Sequence, residues 1–292
     1  MPLLVAFFGL GLLVQGVDHG RLRRFLWLVS FGGIVPVLVF ATFLTQEFDA
    51  RLVRALAAAV LATWCVGALA FSYAALVARS RAERGTLALG AGFGNTGYIG
   101  LPLAQLVFGH AGLALAVVYG RLAWLVPDTA VSTATARLHG DAPRRLRPLP
   151  ALLLNPPLAA FVIALALRTA GVEFPVEGAQ SAAAALVGPV GFLLLGLSLP
   201  LDARAGSQGD LARAAGAVAI RLGGGPLALF LAGRAIGAEV PRIFYLLAGM
   251  PSAFHLLVLA RVYELRPTLM RLVVMGSTVP VVVAVLIDSG LR

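Results

Sequence analysis

GAGFGNTGYIGLP, residues 90–102, sets five glycines, an asparagine, a threonine and a proline inside an otherwise apolar run. Glycine and proline are the poorest helix formers, and proline also removes a backbone donor. In water such a stretch is a loop. In lipid an unsatisfied backbone is costly, so irregular chain survives at depth only where protein buries it or a wet cavity meets it. Which solvent surrounds the stretch decides the fold.

Composition answers for lipid. Of 292 residues, 60% are hydrophobic and 12% charged, and the mean hydropathy is +0.92. A soluble chain of this length could not bury so much apolar surface. The formal charge is +10, and all 23 basic residues are arginine. They sit in short gaps between apolar segments, without a basic arm or an aromatic-basic platform, so nucleic acid is not the expected partner. The one cysteine, Cys65, lies in an apolar segment and excludes an intrachain disulfide or a cysteine metal site. The opening apolar stretch lacks a positive n-region and a small-residue cleavage site, and reads as a first helix rather than a signal peptide.

A hydrocarbon core of about 30 Å takes roughly 20 apolar residues per helix. Ten segments qualify: 2–17, 25–44, 52–78, 85–108, 111–132, 150–169, 180–200, 211–234, 241–264 and 268–288. The loops after odd-numbered segments hold 15 arginines, against 5 on the other side plus Arg54 near a helix end. This bias puts the odd-numbered loops in the cytoplasm and both termini outside, periplasmic in a bacterial inner membrane. The longest polar gap, RLHGDAPRRLRP (137–148), falls after five spans and before five. The chain therefore divides into a first repeat (1–136), a cytoplasmic linker (137–149) and a second repeat (150–292).

Five spans per half force the halves into opposite orientations, the inverted-repeat plan of many secondary transporters. An offset of 157 − 2 = 155 sets PLLVAFFGLGLL (from Pro2) against PLAAFVIALALR (from Pro157), and Gly94 against Gly249. The fourth span of each half then carries a proline-centred break, at Pro102 and at Pro251. A helix restarting at Pro102 or Ser252 would present free N–H groups and partial positive charge, which favour an anion. Asn95 and Thr96 add neutral hydrogen-bonding groups, Gly97 and Tyr98 flank them, and His255 can change charge near neutral pH. The expected substrate site is thus Asn95, Thr96, Gly97, Tyr98, Pro102, Pro251, Ser252 and His255.

GFGNTGYIGLPL closely resembles the fourth-helix motif of the auxin efflux carrier family, which includes bacterial transporters and plant PIN proteins. AGMPSAFHLLVLARVYE is similar to that family's ninth helix, LLNPPLAAFVIALAL (152–166) to its sixth, and PVGFLLLGLSL (189–199) to its seventh. The resemblance implies an all-α membrane protein of ten transmembrane helices in two inverted five-helix repeats, with broken helices 4 and 9 crossing near the substrate. It implies transport of organic acid anions such as auxin or dicarboxylates. Asn95 and Pro102 match the first crossover and Pro251 the second. Where relatives often carry asparagine in the ninth helix, this chain has His255. The short linker is like that of the compact bacterial members.

Arg121 and Asp128 fall in the fifth segment seven residues apart, a spacing that puts them on one helical face. Arg221 falls in the eighth. Charges at such depth face the bundle or a cavity. The three form a candidate anion path or coupling route, with Asp128 as proton acceptor or as partner to Arg121, against the alternative of snorkelling or structural pairing. Tyr119 and His110 are weaker candidates.

The expected function is a secondary transporter of a small organic anion, without cofactor or metal, coupled to protons or sodium or to neither. Lipid is its solvent, and a homodimer is among the oligomeric states left open. The alternative is a cation/proton antiporter on the same broken-helix plan, but such a carrier needs carboxylates at the crossing and neither break has one. An enzyme is not expected: the four histidines are dispersed and no HExxH occurs.

Overall fold

The computed structural model describes residues 2–15, 20–124, 127–142, 155–199 and 206–291. In chain order the helices are α1 (Pro2–Gln15), α2 (Gly20–Val29), α3 (Val35–Thr45), α4 (Ala50–Val77), α5 (Arg81–Gly92), α6 (Leu101–Leu122), α7 (Ser132–His139), α8 (Pro156–Thr169), α9 (Glu177–Ser198), α10 (Gln208–Ala219), α11 (Gly225–Ala235), α12 (Arg242–Ala248), α13 (His255–Val262) and α14 (Pro267–Leu291). Among the described residues there is no strand, and the fold is all-α.

Among the described residues, six helical stretches are long and apolar enough to cross a bilayer: Gly20–Thr45, Ala50–Val77, Thr96–Leu122, Glu177–Ser198, Gln208–Ala235 and Pro267–Val285. Val5–Gln15 and Pro156–Thr169 are apolar but shorter. The expected segments 85–108 and 241–264 are each divided, at residues 93–95 and 249–254. The expected gap between 108 and 111 is a sharp kink at Gly109, whose φ of 65° suits glycine alone.

Proline positions explain most of the irregular helix. Three π turns, Ser30–Ile34, Thr96–Gly100 and Ile220–Gly224, each end two residues before a proline: Pro36, Pro102 and Pro226. Proline has no N–H to give the carbonyl four residues back and its ring crowds that carbonyl. A widened turn moves the carbonyl aside and lets the helix continue.

The chain forms two compact units. The first comprises residues 1–49, 97–121 and 147–199. In it α1 lies against α9 at Gly11, where a Cβ would approach Gly196 Cα to 3.0 Å. Small residues let backbones meet closely where lipid supplies no hydrophobic drive. Arg168, at the end of α8, donates to Phe43 O (3.1 Å) and Gln46 O (2.6 Å), closing the C-terminus of α3.

The second unit comprises residues 50–96, 122–146 and 200–292. Its core is built of alanine, leucine and one valine: Ala70, Ala74, Leu87, Ala88, Ala91, Ala214, Ala217, Leu269 and Val273. A charged network closes one end. Glu83, 1% exposed, pairs with Arg213, which also meets Asp210 at 3.0 Å. Arg266 reaches Asp210 at 3.5 Å, and its backbone N–H donates to Thr86 Oγ1 at 3.0 Å. Ser207 and Asp210 form a reciprocal cap that starts α10.

Candidate functional site

The two interruptions of the second unit meet each other. Helix α5 ends at Gly92 and α12 ends at Ala248. Between them, Gly94 and Ser252 form an antiparallel bridge. Asn95 N–H donates to Pro251 O at 2.6 Å, and Ala253 N–H donates to Phe93 O at 3.1 Å. Backbone groups freed by the two breaks thus satisfy one another, which is what irregular chain requires away from water. Gly94 faces Ser252 here, not Gly249, the residue that the 155-residue offset sets against it.

Arg221 holds the junction. It is 1% exposed and is the largest of the fully buried side chains. Its Nη1 donates to Gly92 O at 2.9 Å and its Nη2 to Ala248 O at 2.5 Å. These carbonyls end α5 and α12. A helix C-terminus carries about half a negative charge, so two of them match one guanidinium. Both contacts therefore set the positive charge of Arg221 at the negative ends of helix dipoles. The guanidinium also lies 5.5 Å over the Trp124 ring. Arg221 occupies the π turn Ile220–Gly224, and the residue after that turn is Gly225. A Cβ at Gly225 would strike Ala248 O and lie 2.8 Å from Arg221 Nη2, so only glycine admits the grip.

Serine hydroxyls extend the junction. Ser252 Oγ donates to Gly90 O at 2.6 Å, and Ser252 N–H donates to Ser277 Oγ at 3.0 Å. Ser252 and Ser277 are fully buried, as is the neighbouring Thr278. Ser277 and Thr278 are absent from the expected site. The signal for them is the polar GST (276–278) inside the apolar α14.

Several expectations shift. The second helix restarts at His255, three residues after Ser252, because Ser252 and Ala253 give their N–H groups to Ser277 and Phe93. The Ser252 N–H is therefore not available to an anion. Helical turns resume at Thr96, ahead of Pro102. Asn95 (3% exposed), Thr96, Pro251, Ser252 and His255 belong to the second unit. Gly97, Tyr98 and Pro102 belong to the first, where the Pro102 ring packs on Gly191. Arg121 is half-buried in the last turn of α6. That helix ends at Leu122, and Asp128 lies in the turn Pro127–Val131. The Asp128 side chain lies outside the described residues. Among those residues no cluster of metal-ligating side chains occurs.

Residues 26–129 match the family model described as membrane transport protein, the auxin efflux carrier family. The match takes in the first interruption; Arg221 and the second interruption lie beyond it. No curated protein matches the chain.

Proposed function

We propose that this membrane transport protein is a secondary transporter that carries a small organic acid anion by alternating access around the two joined interruptions. The observation that carries the reading is the junction itself: two broken helices tied at Gly94 and Ser252 and clamped by Arg221. Discontinuous helices are the usual means by which membrane carriers build a binding site at depth.

The chemistry beside the junction supports an anion over a cation. Asn95, Thr96, Ser252, Ser277 and Thr278 are neutral and buried, and His255 opens α13. The interruptions contain no carboxylate, the group a cation/proton antiporter needs there. Arg221 grips the carbonyls that end two helices and so positions the broken helices. Recognition of the substrate is assigned to Asn95, Thr96 and His255, with partial positive charge from the start of α13. The arginine bias of the loops supports both termini outside, and His255 offers a route for proton coupling.

Purified protein in proteoliposomes, offered a panel of radiolabelled mono- and dicarboxylic acids with and without proton or sodium gradients, tests the reading. Saturable uptake of at least one acid is expected. Saturable movement of a cation with no acid moved overturns it in favour of the antiporter.

A further inference from the structure

At the end of the second unit, away from the junction, a cavity of about 460 Å³ is lined by Ala78, Arg79, Ser80, Arg81, Arg84 and His139. Three arginines and a histidine come to it from two separate parts of the chain. A topological bias of arginine needs only the right count in a loop. It does not need the side chains to converge on one cavity.

The convergence is built into the packing. Ser80 caps α5 by accepting from Glu83 N–H at 3.2 Å, which leaves its own proton to donate. His139 ends α7, and Gly85 lets it come close: a Cβ there would lie 2.5 Å from His139 Cβ. His139 Nδ1 is 3.0 Å from Thr135 O. A carbonyl only accepts, so Nδ1 carries the proton and Nε2 is the nitrogen that can take another.

Glu83, in the first turn of α5, is occupied by Arg79 N–H at 2.9 Å and by Arg213. Among the described residues no carboxylate pairs with the guanidinium of Arg79, Arg81 or Arg84. The positive end of the α5 dipole adds to the same field.

We propose that this cavity binds a phosphate group, borne by a lipid headgroup or by a soluble phosphorylated compound. Guanidinium forks match phosphate oxygens in pairs, and a tetrahedral oxyanion can be met from several sides at once, as a flat carboxylate cannot. The volume lies within the range of small-ligand sites. Its lining begins at Ala78, the residue after the span Ala50–Val77. The site is independent of the transported substrate.

The test uses full-length protein in a neutral detergent and two probes: inorganic phosphate, and submicellar dihexanoyl phosphatidylglycerol, each followed by microscale thermophoresis. Saturable binding of at least one probe is expected, weakened about tenfold in Arg81→Gln/Arg84→Gln, as for loss of one charge-assisted contact. Arg79→Gln, which keeps its N–H on Glu83, weakens binding in the same direction. Arg234→Gln leaves it unchanged. Binding of phosphate assigns a soluble ligand, and binding of phosphatidylglycerol alone assigns a headgroup. No binding of either probe, or equal binding by wild type and the double variant, overturns the proposal.

Discussion

Arg221 Nη1 lies 2.9 Å from Gly92 O, across 129 residues of sequence. The same guanidinium holds Ala248 O, so one side chain closes the ends of two helices. Removing it leaves two buried carbonyls without that donor, at about 1–3 kcal/mol each. Arg221→Met is therefore expected to lower the melting temperature of the detergent-solubilised protein by several degrees. Arg221→Lys keeps the charge but loses the two-pronged reach, and is expected to fall between Met and wild type. Thermal unfolding followed by intrinsic fluorescence checks both.

The glycines around this clamp are not equivalent. A Cβ at Gly225 meets Ala248 O and the Arg221 guanidinium, whereas one at Gly223 meets nothing within 4 Å. Overpacking of a tight site costs about 1–3 kcal/mol. Gly225→Ala is expected to destabilise by that amount and Gly223→Ala to leave stability unchanged or raised. The two single variants, melted side by side, give the comparison.

Ser277 is expected to matter for stability more than its absence from any motif suggests. It accepts from Ser252 N–H and donates within its own helix to Val273 O at 2.8 Å. Ser277→Ala removes the acceptor of a buried backbone donor. Interhelical hydrogen bonds in membrane proteins average about 0.6 kcal/mol and reach about 1.7. The expected loss lies near the upper value, and a smaller one is expected for Ser252→Ala, whose N–H bond persists. Unfolding equilibria in mixed micelles resolve a difference of this size.

Much of this fold was legible. Hydropathy gives the all-α membrane architecture, and the glycine- and proline-rich stretches mark where helices α5 and α12 end. The boundaries moved for a physical reason: at Ser252 and Ala253 the backbone N–H groups are drawn to Ser277 and Phe93, which delays the next helix to His255. Arg221 stood out as a charge at depth. The two carbonyls it grips, 129 and 27 residues away, could not be read, because carbonyls leave no signature in a sequence. Ser277 and Thr278 were hidden by the apolar helix around them.

The central claim is that the joined interruptions form the transport site, with Asn95 and His255 contacting substrate. The most direct measurement is initial uptake of a transported organic acid into proteoliposomes by wild type, Asn95→Ala and His255→Ala, each matched for melting temperature and reconstituted amount. Loss of transport in both variants, with folding intact, is the expected result. Full turnover and unchanged affinity in both would contradict the account and put the site elsewhere.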